Sequence, residues 1–153
     1  MTPAVIYKTV FLSLKDTDTV AEATRRMLDH HVSDLPVVDS AGTLLGMFRL
    51  DRVFAALLPW AATIGDGVPD LAFVSDTIEQ LRERMREIEG SAVREFVVEP
   101  EHVLHPATSP LEAVLLLYKG ANAIPVVAPD SRKLVGMVSA RDVLAALQPA
   151  GAR

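Results

Sequence analysis

The chain states one pattern twice. Leu35-Pro36-Val37-Val38, a short turn and Leu44-Leu45-Gly46-Met47-Phe48 return about 90 residues later as Ile124-Pro125-Val126-Val127, a turn and Leu134-Val135-Gly136-Met137-Val138. Each copy closes with a helical segment, Asp51 to Leu58 in the first and Arg141 to Leu147 in the second. There Val53, Ala55, Ala56 and Leu57 match Val143, Ala145, Ala146 and Leu147. Such a duplication restricts the fold strongly. Two homologous half-units can bury a shared core and leave clefts between them.

The periodicities give the content of each unit. Phe11 to Leu14 reads as a short extended lead-in. Thr19 and Glu22 have capping-box spacing, with Asp18 as a rival cap, and Val20, Ala23, Met27 and Leu28 recur at helical period. Asp34-Leu35-Pro36 opens a strand, because the residue before proline is driven to extended geometry. Asp39 to Gly42 carries turn chemistry, and Leu44 to Phe48 forms the return strand. In the second copy Ser109 is the N-cap, Pro110 takes the first helical position and Glu112 completes the box. Leu111, Val114, Leu115 and Tyr118 are expected to line that helix's buried face, widened by Leu116 and Leu117. Gly120 suits its C-terminal end, and Val93 to Val98 reads as a lead-in strand.

Between the copies lies a segment without a counterpart. Thr63 to Pro69 reads as a loop. Asp76 is expected to cap a charged helix, Thr77 to Glu89, whose Ile78, Leu81, Met85 and Ile88 form one narrow apolar seam. That seam either docks on its own domain or meets another chain. Trp60 either packs where the segment leaves the first copy or lies in a contact between chains.

Composition removes whole classes of function. Half of the 153 residues are hydrophobic, enough for a core, and the formal charge of −5 disfavours a nucleic-acid surface. There is no cysteine, hence no disulfide or thiol chemistry. No apolar run approaches the ~20 residues of a membrane span, and Met1 to Phe11 lacks the features of a signal peptide. A cytoplasmic protein without a membrane anchor is expected. No Ser-His-Asp, Cys-His or phosphate-loop pattern stands out, so neither a catalytic residue nor an enzymatic role is assigned. His30 and His31 are adjacent on a helix and do not converge on a metal; closing the helix explains them better. His102 and His105 lack companion ligands, and no metal site is expected.

The hydrophobic-Pro-Val-Val strand and the Gly136-Met137-Val138-Ser139-Ala140-Arg141-Asp142 exit resemble the CBS (cystathionine-β-synthase) domain. The doubled pattern resembles a CBS pair, or Bateman module. The resemblance covers nearly the whole chain, apart from the segment around Trp60 to Gly90. It implies an α/β fold of tandem β-α-β-β-α units packed sheet to sheet about a pseudo-twofold axis. Repeat 1 would span residues 1–60, a connecting insertion 61–90 and repeat 2 91–150. It further implies a regulatory homodimer that binds AMP, ATP or S-adenosylmethionine between the repeats and acts on an unidentified partner protein. No cofactor is required. The alternative is a structural dimerisation module without a ligand.

Residue chemistry is compatible with that implication. Asp142 falls in the first turn of a helix, where a carboxylate is favoured, and it accepts hydrogen bonds as ribose hydroxyls would require. Ser139 can cap that helix or donate to a phosphate near the helix start. Plain capping explains both residues equally well. Arg141 belongs to the same motif. The main chain of Ala123, Ile124, Pro125 and Val126 would read an adenine edge. Ser13 is a lesser candidate for a polar contact. In repeat 1, Arg49 replaces the serine and Arg52 the aspartate, while Asp51 stands one residue early, about 100° away around the helix. Arg49 and Arg52 either neutralise phosphates or pair with nearby acids. One usable site around Asp142 and one degenerate site are expected.

Overall fold

A computed structural model of the protein describes residues 7–58 and 77–149. Repeat 1 runs β1 (Leu14–Lys15), α1 (Val20–His30), β2 (Asp34–Val38), β3 (Leu44–Arg49) and α2 (Leu50–Leu57). Helix α3 (Ile78–Glu89) and a 3-10 turn (Val93–Phe96) follow. Repeat 2 contributes α4 (Pro110–Tyr118), β4 (Ala123–Val127), β5 (Leu134–Ser139) and α5 (Ala140–Ala146). The loop expected at Thr63 to Pro69, the cap at Asp76 and the placement of Trp60 lie outside the described residues. Helix α3 is capped by Thr77, whose hydroxyl accepts from the Gln80 N–H while the Gln80 side chain accepts from the Thr77 N–H.

The two hairpins repeat one another in register. Leu35, Pro36 and Val37 face Phe48, Met47 and Gly46; Ile124, Pro125 and Val126 face Val138, Met137 and Gly136. Each hairpin shifts register at its last valine, Val38 or Val127. Strand β1 adds parallel to β2 through Leu14 and Val37. Its counterpart is Leu104, which bridges Val126 in parallel. Leu14 and Leu104 are both fully buried, because the lead-in presses them under the helices of their own repeat.

Contacts between the repeats come in exchanged pairs, the signature of a pseudo-twofold axis. Lys8 forms a two-bond antiparallel bridge to Met137, and Val98 forms the same bridge to Met47. At the axis, the Leu44 N–H donates to the Arg132 carbonyl and the Leu134 N–H to the Gly42 carbonyl, both at 3.0 Å. The Gly-Met step of each hairpin makes the first exchange possible. A Cβ on Gly46 would stand 2.5 Å from the Val98 carbonyl oxygen, and one on Gly136 would stand 2.6 Å from that of Lys8.

The core divides between the repeats. Phe48, Leu14, Val20, Val37 and Val93 centre the first cluster, with Phe96 edge-on to Phe48 at 6.4 Å between ring centroids. Leu104, Ile124, Val126 and Val138 centre the second, smaller one. Met85 and Ile88 of α3 pack against the first cluster, so the seam docks on its own chain, though Ile78 is exposed.

Three expectations need correction. Val93 to Val98 is not a strand. The Val20 N–H donates to the Ser91 carbonyl and the Val93 N–H to the Asp18 carbonyl, which ties the segment under α1 as a 3-10 turn. On α4 the buried residue is Ala113, with Leu116 and Leu117 partly covered, whereas Leu111, Val114, Leu115 and Tyr118 face outward. An apolar residue at nearly every position leaves no period from which to choose a face. Leu28 of α1 is likewise exposed. The helix caps follow expectation more closely. Thr19 and Ser109 accept from Glu22 and Leu111 N–H groups, and His31 closes α1 in the left-handed conformation. Gly120, at φ +108°, ends α4 as the Gly120 and Ala121 N–H groups bond Leu117 and Leu116 carbonyls.

Candidate ligand clefts

Two clefts lie between the repeats and are related by the pseudo-twofold axis. The larger, about 390 Å³, has Ser139 and Asp142 on one wall and Asp34, Leu35 and Pro36 of the other repeat opposite, with Lys8, Val10, Phe11 and Leu12 beside them. The smaller, about 90 Å³, has Arg49 on one wall and Gly120 to Ile124 opposite, with Glu99 to His102 beside them, and a further cavity of about 250 Å³ adjoins it at Arg49, Asp51 and Asn122. Asp34 and Ala123 occupy equivalent positions and line both clefts. Each cleft therefore joins the helix start of one repeat to the Pro-Val-Val strand of the other.

Asp142 is well placed and well satisfied. Its side chain is 12% exposed, and one carboxylate oxygen stands 3.1 Å from the Lys8 ammonium. The other accepts from the Ser139 hydroxyl at 2.8 Å, and the Asp142 N–H donates back to that oxygen at 3.3 Å. Capping of α5 and lining of the cleft are thus the same arrangement. Apolar surface from Val10, Phe11, Leu35 and Met137 faces this polar corner, a combination suited to a flat heteroaromatic group with a hydroxylated end.

The equivalent corner in repeat 1 differs in charge. The Arg49 guanidinium lies 3.1 Å from Asp51 and 3.9 Å from Glu101. Arg52 is exposed on α2 and lines neither cleft. Burial raises the Asp34 carboxyl above its usual range; Arg49 and a hydrogen bond from Asn122 act against that rise, and Asp51 adds to it.

Of the residues expected around the ligand, the structure brings together Asp142, Ser139 and Ala123. Ile124 lines the other cleft. Pro125 and Val126 are buried in β4 and line neither, Arg141 points to solvent, and Ser13 uses its carbonyl to accept from Arg26 at 3.1 Å. The strand that faces Asp142 is β2, not β4, because the pseudo-axis pairs opposite repeats. Lys8, His30 and Asp34 line the Asp142 cleft without having been singled out. The equivalence of Lys8 to Val98 and of Asp34 to Ala123 was their only signal in the chain. Among the described residues no cluster of His, Asp or Glu could hold a metal ion, and no helix is long and apolar enough to cross a membrane.

Comparison with known proteins agrees with this architecture. The CBS domain family matches residues 1–59 and 93–149, and the chain belongs to that family. No curated protein matches it. Among solved structures it is similar to the CBS-pair protein CBSX2 from Arabidopsis thaliana, at 22% identity and a TM-score of 0.68, over 94% of this chain and 89% of that one. It is also similar to CBSX2 in complex with AMP, at 21% identity and a TM-score of 0.63, over 94% and 91%. A CBS domain-containing protein from Kribbella flavida gives 20% identity and a TM-score of 0.67, over 95% and 97%. The chain is a tandem pair of CBS repeats.

Proposed function

We propose that the chain is a regulatory module that binds an adenosine-type nucleotide in the Asp142 cleft and passes the bound state to a partner protein. One observation carries the reading. A sheltered carboxylate at a helix start looks into a cleft of about 390 Å³ walled on the far side by Leu35 and Pro36 of the other repeat, with Asp34 beside them. That volume lies within the ~300–1,000 Å³ of small-molecule sites. The AMP complex of CBSX2 supports the same ligand class. AMP, ATP and S-adenosylmethionine remain the candidates, with Ser139, Ala123 and the β2 strand as companions of Asp142. The smaller cleft, with Arg49 held by acids, is the degenerate site. The division into repeats at 1–60 and 91–150 belongs to the same proposal, as do a non-catalytic role and a cytoplasmic setting.

The module also has a surface suited to self-association. Leu111, Val114, Leu115 and Tyr118 of α4 and Leu144 and Leu147 at α5 expose large apolar side chains. On repeat 1 the corresponding helices carry α3, with Met85 between α1 and α2. A homodimer through repeat 2 would cover the bare face.

A thermal-shift series with AMP, ADP, ATP and S-adenosylmethionine tests the ligand reading. At millimolar concentration at least one should raise the Tm; four flat responses would defeat it. The second reading, a dimerisation module without a ligand, draws on the same corner. Both Asp142 oxygens already have partners inside the protein. Flat thermal responses together with a stable dimer would favour it.

A further inference from the structure

Lys8 distinguishes the Asp142 cleft from its counterpart. In the other repeat Val98 takes the place of Lys8, and the cation of the smaller cleft, Arg49, stands where Ser139 stands in the larger one. The root of Lys8 is fixed: its N–H donates to the Met137 carbonyl at 2.9 Å, and its carbonyl accepts from the Met137 N–H at 3.1 Å. Gly136 allows this close crossing. The ammonium is not fixed in the same way. Its side chain is 61% exposed, so its ion pair with the sheltered Asp142 is open to solvent on the lysine side, where screening weakens it. Lys8 is the only lysine or arginine among the described residues lining this cleft.

A ribose diol approaching Asp142 finds each carboxylate oxygen already accepting one contact, from Lys8 or from Ser139, with a lone pair on each oxygen still open. Of the two, Ser139 is the N-cap of α5 and cannot leave without uncapping it. Lys8 can leave, because a lysine side chain is long and its three donors can be re-aimed. Once displaced, a positive charge remains tethered at the rim of the cleft, two peptide bonds from Val10. Its lowest-energy new partner is an anionic group on the arriving molecule itself.

Building on the nucleotide reading of this cleft, we infer that Lys8 is a resident counter-ion that swings from Asp142 to meet the ligand's phosphate. The cleft thereby selects phosphorylated adenosine over uncharged adenosine and over cationic S-adenosylmethionine. Asp34 on the facing strand does not reverse this preference. Burial disfavours its charged form, and the Asn122 amide donates to it at 3.5 Å.

The test is calorimetric titration of AMP, adenosine and S-adenosylmethionine into the wild-type chain and the Lys8→Met and Lys8→Arg variants. Wild type should bind AMP about tenfold or more tighter than adenosine, the size of one charge-assisted contact, and S-adenosylmethionine no tighter than adenosine. In Lys8→Met the AMP-to-adenosine ratio should fall to about 1–2, with adenosine binding unchanged or improved because its competitor is gone. Lys8→Arg should keep the preference. A wild-type ratio retained in Lys8→Met, with all three ligands still binding, overturns the role of Lys8 and leaves the nucleotide site standing. A wild-type preference for adenosine or S-adenosylmethionine over AMP overturns it as well. Absence of binding by all three to wild type removes the nucleotide reading, and this inference with it.

Discussion

Replacing Gly136 with alanine puts the crossing of the two repeats under direct test. Gly136 has an ordinary backbone conformation, so the substitution carries no φ penalty. In an open site Gly→Ala would instead stabilise by about 0.4–1 kcal/mol through the unfolded chain. Here the new methyl would overlap the Tyr7 ring and the Lys8 carbonyl oxygen, the latter at 2.6 Å. A backbone oxygen cannot step aside by a rotamer change. Either β5 strains, at about 1–3 kcal/mol for overpacking, or residues 7 and 8 detach. Detachment loses the two Lys8–Met137 bonds at 2.9 and 3.1 Å, together about 1–3 kcal/mol. Whichever route is cheaper, the net destabilisation should be about 1–2 kcal/mol after the entropic gain. Urea unfolding measures it, with Gly90→Ala as the control, since nothing lies within 4 Å of a Cβ there. Gly90→Ala should be neutral or slightly stabilising. Equal effects of the two substitutions would refute the packing argument.

Phe48→Ala, at the fully buried centre of the first core, should cost about 3–5 kcal/mol in urea unfolding. Leu111→Glu combined with Tyr118→Glu should leave monomer stability within about 0.5 kcal/mol, as exposed sites do, while sedimentation shows a dimer reduced to monomer. Because burial raises the Asp34 pKa in the folded state, the native chain binds that proton more tightly than the unfolded one. Its stabilising effect is therefore full below the ordinary 3.8 and is lost as pH rises through the folded value. Asp34→Asn should accordingly gain stability relative to wild type as pH rises from below 3.8 to 7, read from urea midpoints across that range.

Much of the local structure was legible in the chain because it rests on local chemistry. Pro36 and Pro125 hold the residues before them extended within β2 and β4, Asp39 accepts from the Ala41 and Thr43 N–H groups of its turn, and Thr19, Ser109 and Ser139 cap the helices that follow them. Long-range pairing was less accessible. That β2 rather than β4 faces Asp142, and that Lys8 crosses to Met137, are consequences of the pseudo-twofold axis. No sequence window contains both partners. The face of α4 failed for a different reason. Pro110 to Tyr118 is apolar at almost every position, so period carries no information, and only packing against the second core decides that Ala113 goes inside.

A crystal structure of the chain grown with AMP bears most directly on the proposed role. The account predicts the nucleotide between the repeats, with its ribose hydroxyls about 2.5–3.0 Å from the Asp142 carboxylate and the Lys8 ammonium moved away from that residue. AMP lodged instead beside Arg49, or bound outside both clefts with the Lys8–Asp142 pair intact, would contradict it.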